Sequence, residues 1–96
     1  MNLNEFTNLI KEFLIIDIRS EEDFNDGHIP NSINIPHVEL IKNHQSYLKT
    51  DKKYLVVCDE GVMSKAVIKM LPQYIIKDLA DGFKSWNGPI ESSKQP

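Results

Sequence analysis

A chain of 96 residues, 41% hydrophobic and 26% charged, has the composition of one ordinary globular domain with room for a single core. Its net charge of −3, with no Lys/Arg stripe interleaved with aromatics, argues against nucleic acid as a partner. The longest apolar run, Phe13–Ile16, is too short to cross a bilayer, no basic-then-apolar leader opens the chain, and the lone cysteine cannot close an intramolecular disulfide. A reducing, cytoplasmic setting without membrane contact is the expectation.

Residues 2–12 read as a helix with Phe6, Leu9 and Ile10 on one face and Asn4 as a candidate cap. Residues 13–19, "FLIIDIR", carry five apolar residues in seven and suit a strand buried on both sides. Ser20 followed by Glu21, Glu22 and Asp23 predicts a capped helix start with acids at the favourable end of the dipole, and Gly27 ends that helix. Two prolines bound an extended piece at Ser32–Ile35, because a residue preceding proline is pushed out of helical geometry. One helix is predicted over His37–Leu48, then a second buried strand, "KKYLVVC". A helix over Ser64–Leu71 follows, with Val67, Met70 and Leu71 inward and Pro72 as its stop. "QYIIKDL" reads as a third strand, and a short helix is expected around Phe83–Trp86. Strands alternating with helices predict one α/β domain over residues 1–90 with a mostly parallel central sheet, and a frayed polar tail over 91–96.

The chain's one thiol, Cys58, stands at the carboxyl end of a predicted parallel strand, the sheet edge where ligands bind in open α/β folds. Five residues, Asp59 to Met63, separate it from the predicted helix start, with Gly61 in the middle. A loop of that length can turn several backbone N–H groups towards the sulfur, and glycine permits the backbone angles required. The plain alternative is a buried structural cysteine. The strand–loop–helix placement favours a functional thiol.

Three blocks, "LIIDIRSEEDFNDGHIPNSINIP", "VVCDEGVMSKAV" and "LADGFKSWNGPI", resemble in order the motifs of the single-domain rhodaneses, a sulfurtransferase family. The resemblance spans roughly residues 3 to 90. It implies a three-layer α/β/α fold, with Cys58 as the catalytic nucleophile and Asp59, Glu60, Gly61, Val62, Met63 and Ser64 as the substrate-binding loop. The implied partners are a sulfur donor, persulfide or thiosulfate, and a thiol or cyanide acceptor. No metal and no organic cofactor are implied.

Against the family pattern, Asp59 and Glu60 follow the cysteine and Met63 stands where an arginine is usual. A carboxylate ~6 Å from a thiolate would repel it by roughly 0.7–3 kcal/mol at effective dielectrics of about 20 to 80, unless it faces solvent. Lys65 is the nearest cation in sequence, so thiosulfate is expected to be a poor donor. Asp17, Arg19 and His28 read as structural, and Phe83 and Trp86 as core or pocket wall.

Other cysteine chemistries fit less well. A cysteine phosphatase needs an arginine where Ser64 stands. A cysteine hydrolase needs a histidine base, and His28, His37 and His44 all fall in the segment expected on the other side of the fold. The rival of a different class is a non-catalytic rhodanese-like module that binds a partner or senses oxidants. Its support is the acidic loop and the absent arginine.

Overall fold

A computed structural model describes residues 1–93. Four parallel strands form one sheet in the order β2-β1-β3-β4, where β1 is Leu14–Asp17, β2 Ile33–Asn34, β3 Lys53–Val57 and β4 Ile75–Asp78. Ile16 pairs with both Ile33 and Val56, so β1 and β3 are the interior strands. Among the described residues α1 (Leu3–Glu12) precedes β1, and α2 (Glu21–Asp26), α3 (His37–Lys42), α4 (His44–Tyr47) and α5 (Val62–Met70) connect the strands. A 3₁₀ turn at Phe83–Ser85 closes the order.

The strand period of two sends alternate side chains to opposite faces. Ile16, Tyr54 and Val56 pack with Leu40 of α3, Val67 of α5, and Leu48 and Leu71, the residues that end α4 and α5. Ile15, Leu55 and Val57 pack with Phe6 of α1, and Phe83 and Trp86 lie against that second cluster. The single core expected from chain length is therefore two, one on each face of a sheet covered by helices on both sides, the three-layer arrangement.

Element details depart from the sequence reading in four places. Asn2, not Asn4, caps α1: its Oδ1 accepts from the Glu5 N–H at 2.8 Å, and the Glu5 carboxylate reaches back to the Asn2 N–H, a reciprocal capping box. The helix predicted over His37–Leu48 breaks at Asn43, which adopts φ −121 and ψ 35. In one continuous helix Leu40 and Leu48 would diverge by about 80°; the break lets both be buried in one cluster. α5 begins at Val62, and its inward stripe is Ser64, Val67 and Leu71, while Met70 is 58% exposed. Glu91 is not frayed: it pairs in antiparallel fashion with His28, and the Ser93 N–H donates to the Asn25 carbonyl. The remaining tail positions, 94–96, lie outside the described residues. Ser20 caps α2 as expected, accepting from the Asp23 N–H at 3.2 Å.

Candidate active site

β3 ends at Val57 and delivers Cys58 to the carboxyl edge of the sheet, almost wholly buried. The loop to α5 then curls back over the sulfur. The Gly61 N–H donates to Cys58 Sγ at 3.1 Å and the Ser64 N–H at 3.4 Å, while Sγ lies 3.4 Å from Ser64 Oγ. Gly61 manages this at φ +83, a left-handed angle that side chains rarely adopt. The outside of the loop is used as well. Phe83 N–H donates to the Cys58 carbonyl at 2.7 Å and Lys84 N–H to the Asp59 carbonyl at 3.1 Å. Gly82 makes that approach possible, since a Cβ there would sit 2.4 Å from the Asp59 carbonyl oxygen. With its outer carbonyls bonded to the 82–84 segment, the loop presents amide hydrogens to the sulfur. Lys65 adds a clamp, donating to the Gly61 carbonyl at 3.1 Å and to Asp78 at 2.9 Å.

The sulfur opens onto a cavity of about 390 Å³. Of the loop residues singled out in the sequence, Cys58, Asp59, Glu60, Val62 and Met63 line it; Gly61 and Ser64 sit behind the sulfur as N–H donors. Both acids face solvent, Asp59 with 56% and Glu60 with 63% of the side chain exposed. Glu60 accepts from Lys84 Nζ, which holds its carboxyl below the usual range and the Lys84 ammonium above its own. Asp59 stands 3.8 Å from Arg19 Nη1. The acids thus have cationic neighbours that lie far away in sequence.

The cavity wall also holds Arg19, Ser20 and His37, which the sequence reading did not place in the site. Arg19 is structural, as expected, but it also lines the cavity. Its Nε and Nη2 engage Asp17, with Nη2 at 2.8 Å from Oδ2, and Nη2 donates to the Gly27 carbonyl at 2.6 Å. Its guanidinium lies 4.2 Å over the Phe83 ring. Burial alone would lower the Arg19 pKa, but hydrogen bonding and attraction from Asp17, joined by Asp59 and Asp23, raise it. His37 was expected across the fold, yet it also lines the cavity, because its N–H donates to the Ile18 carbonyl at 3.1 Å beside the end of β1. Ser20 joins it in the same wall. His28 and His44 do not: His28 stacks on Phe24 and bonds the Phe24 carbonyl and Glu91, and His44 bonds the Tyr74 hydroxyl at 2.7 Å. Phe83 supports Arg19 from below and Trp86 packs on Phe6; both are partly buried against the second core cluster, and neither lines the cavity.

The family model described as a rhodanese-like domain matches residues 2–89. The chain is 32% identical over 93 residues to YqhL of Bacillus subtilis (strain 168), covering 94% of this chain and 73% of that protein. It is 31% identical over 93 residues to the adenylyltransferase and sulfurtransferase MOCS3 of Drosophila sechellia, covering 84% of this chain but only 20% of that much longer protein. Among solved structures, a rhodanese-related protein from Thermoplasma volcanium matches with a TM-score of 0.79 at 34% identity, covering 95% of each chain. Among the described residues, no helix is long and apolar enough to cross a membrane.

Proposed function

The chain belongs to the rhodanese-like domain family, and on that premise we propose that it is a sulfurtransferase that carries a sulfane sulfur on Cys58. The observation that supports this most is the sulfur itself, which borders an open cavity and receives two backbone N–H groups from its own loop. Those donors suit Cys58 Sγ as a thiolate, the form that begins the cycle and returns at its end.

Two displacements make the cycle. The Cys58 thiolate attacks the outer sulfur of a persulfide donor; a new S–S bond forms, the donor's S–S bond breaks, and the donor leaves as its thiolate. An acceptor thiolate then attacks the outer sulfur of the Cys58 persulfide. The acceptor departs as a persulfide and the Cys58 thiolate returns. Cyanide in the acceptor's place gives thiocyanate. Electrons balance across the two steps, so no external oxidant or reductant enters. Gly61 and Ser64 hold negative charge at Cys58 Sγ in the free enzyme, and the buried Ser64 hydroxyl offers a further contact to it. The chemistry needs a reduced thiol, which agrees with a cytoplasmic setting.

Thiosulfate remains a poor donor in this reading. The cavity wall brings no cation of its own for a second negative charge: its one arginine is paired with Asp17 and faces Asp59, and Met63 brings no charge. The alternative of a non-catalytic binding or oxidant-sensing module drew on the acidic loop; with Asp59 beside Arg19 and Glu60 on Lys84, those acids weigh little against a thiolate. The test is turnover of a low-molecular-weight persulfide with a thiol acceptor. Native protein should turn over and Cys58→Ser, which keeps the loop but cannot carry sulfane sulfur, should stay at the uncatalysed rate. Turnover by the serine variant would remove Cys58 from its role.

A further inference from the structure

Arg19 has one nitrogen left to spend. Nε and Nη2 are taken by Asp17 and the Gly27 carbonyl, whereas Nη1 has only Asp59 near it, at 3.8 Å, beyond hydrogen-bond reach. Nη1 borders the cavity, where water reaches it, while the rest of the guanidinium is held in place, with its side chain 6% exposed and lying on the Phe83 ring. Asp59 is the opposite case: more than half exposed, held by a long contact, and within the field of Lys84 on its other side. A carboxylate therefore stands loosely opposite a fixed guanidinium whose Nη1 makes no direct hydrogen bond to the protein, in the same cavity as the thiol.

We propose that Arg19 Nη1 anchors a single carboxylate on the small thiol or persulfide substrate, and that Asp59 holds that place while the cavity is empty. The proposal rests on the sulfur-transfer reading above. A substrate carrying one carboxylate replaces Asp59 at the guanidinium, and Asp59 turns to solvent near Lys84, so the charge facing Arg19 is unchanged. A dianion brings a second charge for which the wall holds no further cation, and a neutral thiol makes no use of Nη1. Planar guanidinium suits carboxylate better than it suits a bare thiolate. Asp59 thereby sets specificity by competition.

Two readouts separate this proposal from the function it builds on. The first needs no sulfur chemistry: propionate and propionamide are titrated into the whole protein while the Arg19 Nε–H resonance is followed by NMR. Propionate should give a saturable shift and propionamide none. Asp59→Asn, which removes the competitor, should tighten propionate binding about three- to tenfold, the span of a partly exposed charge pair. The second compares transfer from Cys58 preloaded with sulfur to mercaptopropionate and to mercaptopropionamide. The ratio of the two rates should rise by a similar factor in Asp59→Asn. Equal shifts from acid and amide, no shift from either, or binding that Asp59→Asn leaves unchanged would overturn the anchor. Propionate binding at Arg19 with transfer to neither thiol would uphold the anchor and overturn sulfur transfer.

Discussion

Asp17 and Asp59 stand near each other at one edge of the sheet, Asp17 opposite Val57 in the register of β1 and β3, and Asp59 two residues beyond Val57. They do opposite things. Asp17 is 1% exposed, and its two oxygens accept from the Arg19 backbone N–H at 3.0 Å and from the Arg19 side chain at Nε and Nη2. Asp59 is more than half exposed and meets Arg19 only at long range. One guanidinium touches both, tightly on the buried side and loosely on the open side. Burial decides the difference: a carboxylate taken out of water survives only when its lone pairs are satisfied, whereas one in water can leave its partner at little cost.

The comparison is broken most severely by removing the buried member. Asp17→Ala leaves the Arg19 guanidinium buried without its main partner, and such a loss costs about 3–5 kcal/mol. Chemical denaturation should show the midpoint fall with the slope unchanged. A loss below about 1 kcal/mol would mean that Arg19 re-pairs elsewhere.

Next in size is a change at the open side. Met63 lines the cavity and is 37% exposed. Met63→Arg should raise thiosulfate kcat/KM about tenfold, consistent with a charge-assisted bond worth roughly 1.5–3 kcal/mol when well aimed, and the gain should shrink with added salt. Steady-state assays of both proteins at two ionic strengths measure it. An efficient native enzyme, or no gain from arginine, would mean that the loop amides alone bind the dianion.

The smallest effect belongs to the exposed acid. Asp59→Asn should move stability by no more than about 0.5 kcal/mol, the usual size for a solvated pair. Thermal or denaturant melts beside Asp17→Ala give the contrast directly. Comparable losses in the two variants would erase the distinction drawn between them.

How much of this the sequence discloses depends on how local each feature is. The strand, loop and helix around Cys58 are legible because an apolar run, a central glycine and a helical stripe lie within fifteen or so residues, the range over which periodicity speaks. The cap at Ser20 and the stop at Gly27 are local in the same way. The neighbours of the two acids are not. Arg19 reaches Asp59 only because β1 and β3 are adjacent strands, and Lys84 reaches Glu60 only because the 82–84 segment hydrogen-bonds the outside of the loop. Judged by neighbours in sequence, the loop looked acidic and uncompensated. His37 was missed for the same reason, since β2 brings the start of α3 back beside Ile18. The split of one predicted helix at Asn43 reflects packing: Leu40 and Leu48 both enter one cluster, a demand that propensity over the segment does not express.

The central claim is that Cys58 carries the sulfur, with the Gly61 and Ser64 amides supporting it. The most direct measurement is the intact mass of the native protein and of Cys58→Ser after incubation with a persulfide donor, before and after reductant. The native protein should gain the mass of one sulfur atom and lose it on reduction, while the serine variant should gain nothing. No gain by the native protein, or the same gain on both, would contradict the account.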